Sequence, residues 1–227
     1  MTEAVPSPTM YLPRQFASQD LRHALTIMRQ HPLASLTAVD AQGFPFVSYL
    51  PLHAEHHEAE EELTLWGHCS RGNPHWKLLQ QSPQALVAFR GAQAYLSPSV
   101  YPDLERVPSW NYVALHCRVQ VELIQEPEDK DRLLKCLIGD HEPAYAEQWR
   151  GLDADFTRKL LGGVVGLRMQ VLQWECKLKL NQHRPESFAA MRAAYEAHAE
   201  LGDDDARELL QWMDRLGMHQ AAEEPVR

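Results

Sequence analysis

From Trp110 to Gln125 the chain alternates: Val113, Leu115, Cys117, Val119, Val121 and Leu123 are interleaved with His116, Arg118, Gln120 and Glu122. A period of two with one polar face suits an antiparallel sheet with one side buried, in a barrel or a sandwich. The rest of the sequence supplies partner strands. Leu33–Asp40 and Phe44–Leu52 flank Ala41-Gln42-Gly43 as a hairpin. Glu62–Gly67, Gln84–Arg90, Ala92–Leu96 and Val164–Trp174 read as further strands, the last with Val165, Leu167, Met169 and Val171 on one face. Helices are expected at about 19–30, near 127–139 and 153–161, and near 186–200 and 204–217. Ser18 is a candidate cap for the first helix, with Leu21, Ala24, Leu25 and Met28 on one face. The last helix places Ala206, Leu209, Leu210, Met213 and Leu216 on one side, a packing face. His53–Glu61 reads as a polar loop and Ser97–Ser109 as a rigid one.

Returning hairpins with interspersed helices define an α+β class. The βαβ alternation of a dinucleotide-binding fold is absent, and so are Gly-x-Gly-x-x-Gly, Gly-x-Ser-x-Gly and the P-loop. The formal net charge of −9 argues against a generic nucleic-acid binder, because such affinity comes largely from neutralising phosphates. No apolar run is long enough for a membrane span and the N-terminus lacks signal-peptide character, so a cytoplasmic protein is expected. Cys69, Cys117, Cys136 and Cys176 form no Cys-x-x-Cys pair and read as reduced, mostly buried thiols.

Three segments could carry chemistry. In Gly67-His-Cys-Ser-Arg-Gly-Asn-Pro-His-Trp76, Asn73 reads as an N-cap and Pro74 as the first helical residue. N–H groups at that helix start would attract an anion, with Arg71 and His68 adding charge-assisted bonds. The same pattern also describes an ordinary cap with a solvated arginine. Trp110-Asn111-Tyr112 could stack on and hydrogen-bond a planar ring, or be core aromatics around a turn residue. Lys177-Leu-Lys-Leu-Asn-Gln-His-Arg-Pro185 places Lys177 and Lys179 on one strand face, followed by Asn181, Gln182 and Arg184. That cluster is either an anion site or an edge strand blunted by lysine. The His53–Glu62 run is crowded into one segment without an i, i+4 histidine pair and reads as a solvated hairpin tip, not a metal site.

Taken in order, these pieces resemble the FMN-binding negative transcriptional regulators, the PaiB-like family, from about Met10 to Gly217. The resemblance is carried by Met10-Tyr-Leu-Pro-Arg14, His31-Pro-Leu-Ala-Ser-Leu36, Gly43-Phe-Pro-Phe-Val-Ser-Tyr-Leu-Pro51 and the Gly67–Trp76 segment. Ala94-Tyr-Leu-Ser-Pro-Ser-Val-Tyr101, Val107-Pro-Ser-Trp-Asn-Tyr112, Val164-Val-Gly-Leu167 and the Lys177–Pro185 cluster complete it. It implies a split β-barrel of the pyridoxamine-phosphate-oxidase type, a homodimer, and FMN in clefts between subunits. By the same resemblance Arg71 and Asn73 would hold the flavin phosphate, and Trp110, Asn111 and Tyr112, with Lys179 and Gln182, would complete the cleft. His68, beside Arg71, and Lys177, on the strand face of Lys179, join them as candidate cofactor-binding residues. The domain reading is a disordered lead over 1–9, the barrel over 10–185 and a helical extension over 186–227. Transcriptional repression is the family's label, but no helix-turn-helix is visible to give it a mechanism, and the net charge of −9 makes weak DNA binding the expectation. A flavin-dependent oxidoreductase and a haem-binding split barrel, with His116 or His183 as ligand, are the alternatives. The sequence departs from the family at Tyr49 (often His), Cys176 (Gly), Leu178 (Trp or Tyr), Asn181 (Ser) and His183 (Asn).

Overall fold

A computed structural model describes residues 7–59, 62–103 and 105–219. The chain divides into two compact units. One comprises Leu21–Phe89 and Leu115–Trp174; the other comprises the segment up to Asp20, Arg90–Ala114 and the segment from Glu175. The division falls across three long strands, and each unit is described in turn.

The described strands are β1 (Ala17–Ser18), β2 (Leu33–Val39), β3 (Pro45–Pro51), β4 (His53–His57), β5 (Glu62–Ser70), β6 (Gln84–Leu96), β7 (Ser109–Ile124) and β8 (Val164–Lys179). The helices are α1 (Leu21–Gln30), α2 (His75–Gln81), α3 (Pro127–His141), α4 (Ala146–Arg150), α5 (Ala154–Gly162), α6 (Phe188–Glu200) and α7 (Asp204–Arg215). The sheet runs β3-β2-β6-β7-β8-β5-β4, with β1 beside β8.

In the first unit, β3 and β4 stand at opposite ends of that order, yet only Leu52 separates them in sequence. One residue cannot span an open sheet, so the sheet must curl until its ends meet. The corner crosses Gly67, where an added Cβ would lie 2.5 Å from Leu52 Cδ2 and 3.3 Å from the Pro51 carbonyl. The barrel interior is filled by Leu36, Leu65, Val87, Phe89, Leu115, Cys117, Val119, Leu167 and Met169, all essentially without solvent exposure. The β2–β3 hairpin pairs Leu33 with Pro51 through Val39 with Pro45. Its turn is fixed by the Asp40 carboxylate, which accepts from the amides of Gln42 and Phe44, and by Gly43 at φ +81°. α1 buries Ala24, Ile27 and Met28.

Two elements differ from expectation here. The segment read as a polar loop from His53 is strand β4, paired with β5 from His53↔Trp66 to His57↔Glu62. Its charges are tolerated because it ends the sheet order, and edge strands commonly carry them. Glu60 and Glu61 lie outside the described residues. The strand read as ending at Gly67 continues to Ser70, which moves the Gly67–Trp76 motif half onto a strand.

In the second unit, β1 pairs with the end of β8 at Ala17↔Lys177 and Ser18↔Cys176. α6 and α7 pack on each other through Met191, Tyr195, Ala206, Leu209, Trp212 and Met213. Asp203 caps α7 by accepting from the Ala206 amide. The amides of Thr9 and Met10 and the Thr9 hydroxyl all donate to Glu175, so chain order begins before residue 10; residues 1–6 lie outside the described residues. β8 runs five residues past Trp174 because Cys176, Lys177 and Leu178 are all buried. A strand covered on both faces loses its alternation, and with it the sequence signal.

Tight packing at the barrel strands sets a first expected result. A Cβ at Gly166 would sit 2.9 Å from Ile124 Cβ, an atom fixed to its own backbone. Gly166→Ala should therefore destabilise by about 1–3 kcal/mol, the usual cost of overpacking. The urea midpoint of unfolding measures it, and an unchanged midpoint would refute the close approach.

Candidate functional site

The Gly67–Trp76 segment lies in the first unit. Arg71 follows β5, and its amide donates to the Gly163 carbonyl at 2.8 Å. Its guanidinium donates to the Gly162 carbonyl at 2.8 Å and to Gln125 Oε1 at 3.1 Å, and stands 6.0 Å from the Trp76 ring. Buried Lys130 donates to the Leu161 carbonyl at 3.2 Å. Two cations thus cap the last carbonyls of α5, where the helix dipole favours positive charge. Burial lowers the Lys130 pKa and the Arg71 charge lowers it further, against an opposing pull from Glu126.

Asn73 does cap the short helix, accepting from the His75 amide at 3.0 Å. Its other amide atom donates to Ser48 Oγ at 2.9 Å, and the same oxygen lies 2.9 Å from His75 Nδ1. Asn73 is therefore engaged at both ends inside the protein. His68 lines a different cavity, of about 330 Å³, with Leu137, His141, Tyr145 and Trp149. Its buried Nδ1 has no protein partner, and burial lowers its pKa. The three residues of the motif answer to three different neighbourhoods.

His75, which the sequence reading left unassigned, carries a consequence. It is buried against Phe46, and burial lowers its pKa to about 4. The unfolded chain protonates this imidazole near pH 6.5. Between those values the unfolded state binds more protons, so stability is complete above about pH 6.5 and is lost as pH falls toward 4. The loss attributable to His75 should reach on the order of 3 kcal/mol. The urea midpoint should fall between pH 7.0 and 4.5 in the native chain, and should fall by less in His75→Gln. An equal pH dependence in both would contradict the assignment.

The second group lies in the second unit. Strand pleating splits the trio at the start of β7: Trp110 and Tyr112 share one face, and Asn111 points to the other. Trp110 is half exposed, donates from its indole to Gln93 at 2.8 Å and meets Tyr95 edge-on. Tyr112 lies beneath both lysines, 5.2 Å from Lys177 Nζ and 5.8 Å from Lys179 Nζ. Lys177 donates to the Tyr11 carbonyl at 2.8 Å. Lys179 donates to Ser109 Oγ at 2.7 Å and to the Trp110 carbonyl. No carboxylate among the described residues pairs with either lysine. The Lys179 pKa is lowered by burial and then by Lys177. Asn111 is fully buried and donates to Tyr195 Oη at 2.8 Å, while its Oδ1 has no partner. Gln182 bonds the backbone at both ends, accepting from the Leu180 amide and donating to the Leu178 carbonyl. It clasps the end of β8.

The departures from the family pattern have local reasons. Cys176 and Leu178 are interior side chains, and burial pushes the Cys176 thiol up to about 12, leaving it inert. Asn181 holds φ +65°, a conformation asparagine tolerates better than serine. His183 stacks edge-on against Phe16. Of the two histidines considered for haem, His183 belongs to the second unit and His116 to the first.

An α+β fold in which one sheet curls into a split β-barrel is the class that this architecture defines. Residues 10–173 match the family FMN_bind_2, described as "Putative FMN-binding domain". The chain belongs to that family, and its cofactor is FMN. It is 27% identical over 180 residues to protease synthase and sporulation protein PAI 2 of Bacillus subtilis (strain 168), covering 78% of this chain and 84% of that one. It is 28% identical to the uncharacterized protein YKL070W of Saccharomyces cerevisiae, covering 56% and 86%. Among solved structures it resembles the flavocytochrome Anf3 from Azotobacter vinelandii, with a TM-score of 0.60 at 17% identity, covering 76% and 74%. It also resembles the FAD and heme binding protein from Mycobacterium smegmatis, with a TM-score of 0.58 at 19% identity, covering 72% and 73%. At those identities the likeness establishes the fold alone.

Proposed function

We propose that this chain works as a PaiB-like flavoprotein homodimer in the cytoplasm, and that its Lys177–Lys179–Tyr112 cluster holds the anionic end of FMN. The observation that carries this reading is Lys179. It is a half-buried cation with no carboxylate partner among the described residues, in a chain of net charge −9. Arg71, which the resemblance marks as a phosphate ligand, is occupied by the end of α5, so Lys179 is favoured over it. The half-exposed Trp110 ring is available to lie against the flavin. When bound, FMN supplies one- and two-electron redox chemistry, and the protein supplies position and electrostatics.

The dimer that the resemblance implies needs an exposed apolar face, and the inward residues of β7 from Leu115 to Val121 are buried and cannot supply one. The β2–β3 hairpin instead exposes Leu33, Val39, Phe44, Val47 and Tyr49. A role in negative regulation runs, in this reading, through a partner protein or the flavin pool, because the net charge disfavours direct contact with a duplex.

The test compares two variants against two ligands. Lys179→Met should weaken FMN by about 2–4 kcal/mol, the range for removing one partner of a close charge pair, and leave riboflavin unchanged. Arg71→Ala should affect FMN less and instead cost about 1 kcal/mol of stability through the lost cap. The opposite ranking for FMN would move the phosphate to the Gly67–Trp76 loop.

A further inference from the structure

The second unit contains a cavity of about 270 Å³ whose wall includes Phe16, Arg106, Asn111, Lys179, His183 and Arg184. Positive charge gathers here in an acidic chain, and it is incompletely neutralised. Arg106 pairs with Asp103 at 2.8 Å, whereas Arg184 stands 3.8 Å from Glu186. Lys179 has only the Ser109 hydroxyl and the Trp110 carbonyl.

Two buried polar atoms on this wall lack any protein partner: Nε of Arg106 and Oδ1 of Asn111. A buried unsatisfied group is costly, and a pair of them on one cavity wall marks the place where a ligand supplies the missing bonds. Arg106 Nε is a donor and requires an acceptor. The Asn111 amide is adaptable. Burial holds the Tyr195 hydroxyl pKa up to about 12, so that group keeps its proton and can donate as well as accept. With the amide turned over, Oδ1 takes the tyrosine's proton and the NH2 group faces the cavity. Arginine, lysine and amide then all present donors.

We propose that this cavity is a seat for a phosphate monoester, gripped by Arg106, Lys179 and Arg184 with Asn111 donating to it. Forked guanidinium groups match the planar pairs of phosphate oxygens, and a lysine adds a point charge. The Phe16 ring, edge-on to His183, walls the side on which the rest of the ligand would lie. The inference deepens the flavin reading and rests on it where the ester is FMN's own; a separate phosphorylated metabolite presents the same chemistry. His183 reports on occupancy. Its pKa is lowered by burial, by Arg184 and by Lys179, with Glu186 opposing. An arriving phosphate would raise it.

The experiment uses the full chain and three probes: inorganic phosphate, FMN and riboflavin, each titrated by calorimetry. Native protein is set beside Arg184→Gln and Arg106→Gln, both partly exposed side chains whose loss leaves the core intact. Phosphate affinity should fall about tenfold or more in each variant, and phosphate should raise the His183 pKa followed by NMR. FMN weakened alongside, with riboflavin unchanged, assigns the seat to the flavin phosphate. Phosphate lost with FMN unchanged assigns it to a separate phosphorylated ligand. Arginine-dependent phosphate binding in a chain that takes no flavin would sustain the seat and refute the flavin reading. Equal phosphate affinity in all three proteins, or none in the native chain, would overturn the proposal.

Discussion

Glutamate at both Val47 and Tyr49 should yield a folded monomer. In β3 these residues pair with Thr37 and Ser35 of β2, so all four lie on the outer face of the hairpin. Val47 is 46% exposed and Tyr49 is 72% exposed, with Leu33, Val39 and Phe44 exposed beside them. Soluble monomers rarely leave apolar patches of more than a few hundred Å² open to water. A two-fold interface would bury each of these side chains twice, once from each copy. Two carboxylates per subunit would then be stranded in an apolar seam, and uncompensated buried charge is strongly unfavourable. Light scattering should report twice the 26.0 kDa chain mass for the native protein and a single chain mass for the variant. If FMN sits between subunits, as the family resemblance implies, its binding should fall together with the dimer. A native protein that stays monomeric at micromolar concentration, or a variant that stays dimeric, would remove this face from the interface.

Trp212→Ala should destabilise the second unit by about 3–5 kcal/mol, the usual cost of deleting a large buried aromatic side chain. Trp212 is fully buried on α7 with Ala206, Leu209 and Met213, and its indole donates to Glu208 at 3.0 Å. The effect extends to the candidate site. α7 packs against α6, and α6 carries the Tyr195 hydroxyl and Met191 sulfur that meet the Asn111 amide. Unfolding followed by tryptophan-independent circular dichroism measures the loss. A change below about 1 kcal/mol, as for an ordinary surface substitution, would show that the helix pair contributes little to this unit.

The barrel was legible where a strand has one wet face. The Val113–Val121 alternation survives in β7, and the β2–β3 hairpin stands where its turn residues place it. It was illegible where that condition failed. β8 beyond Trp174 is covered on both sides, and β4 carries the charges of an edge strand, so neither alternates in the expected way. On the last helix, the spacing predicts Leu210 and Leu216 on the packing face, yet both are half-buried and Trp212 is fully buried there. The candidate site divides similarly. That Lys177 and Lys179 share a face follows from spacing alone. The same spacing places Asn111 opposite Trp110 and Tyr112, although the motif reads as one trio. What occupies Arg71 was beyond reach, because Gly162 and Gln125 are remote in sequence and carry no signal of their own. Arg106 and Arg184 acquire meaning only from the cavity they line.

The most direct measurement is a flavin titration of the purified full chain, followed by quenching of flavin fluorescence, with FMN and riboflavin run in parallel. One FMN should bind per chain, and riboflavin, which lacks the phosphate, should bind about tenfold or more weaker. Equal affinity for the two flavins, or no binding of either, would contradict a flavoprotein that holds its cofactor by the phosphate at Lys179.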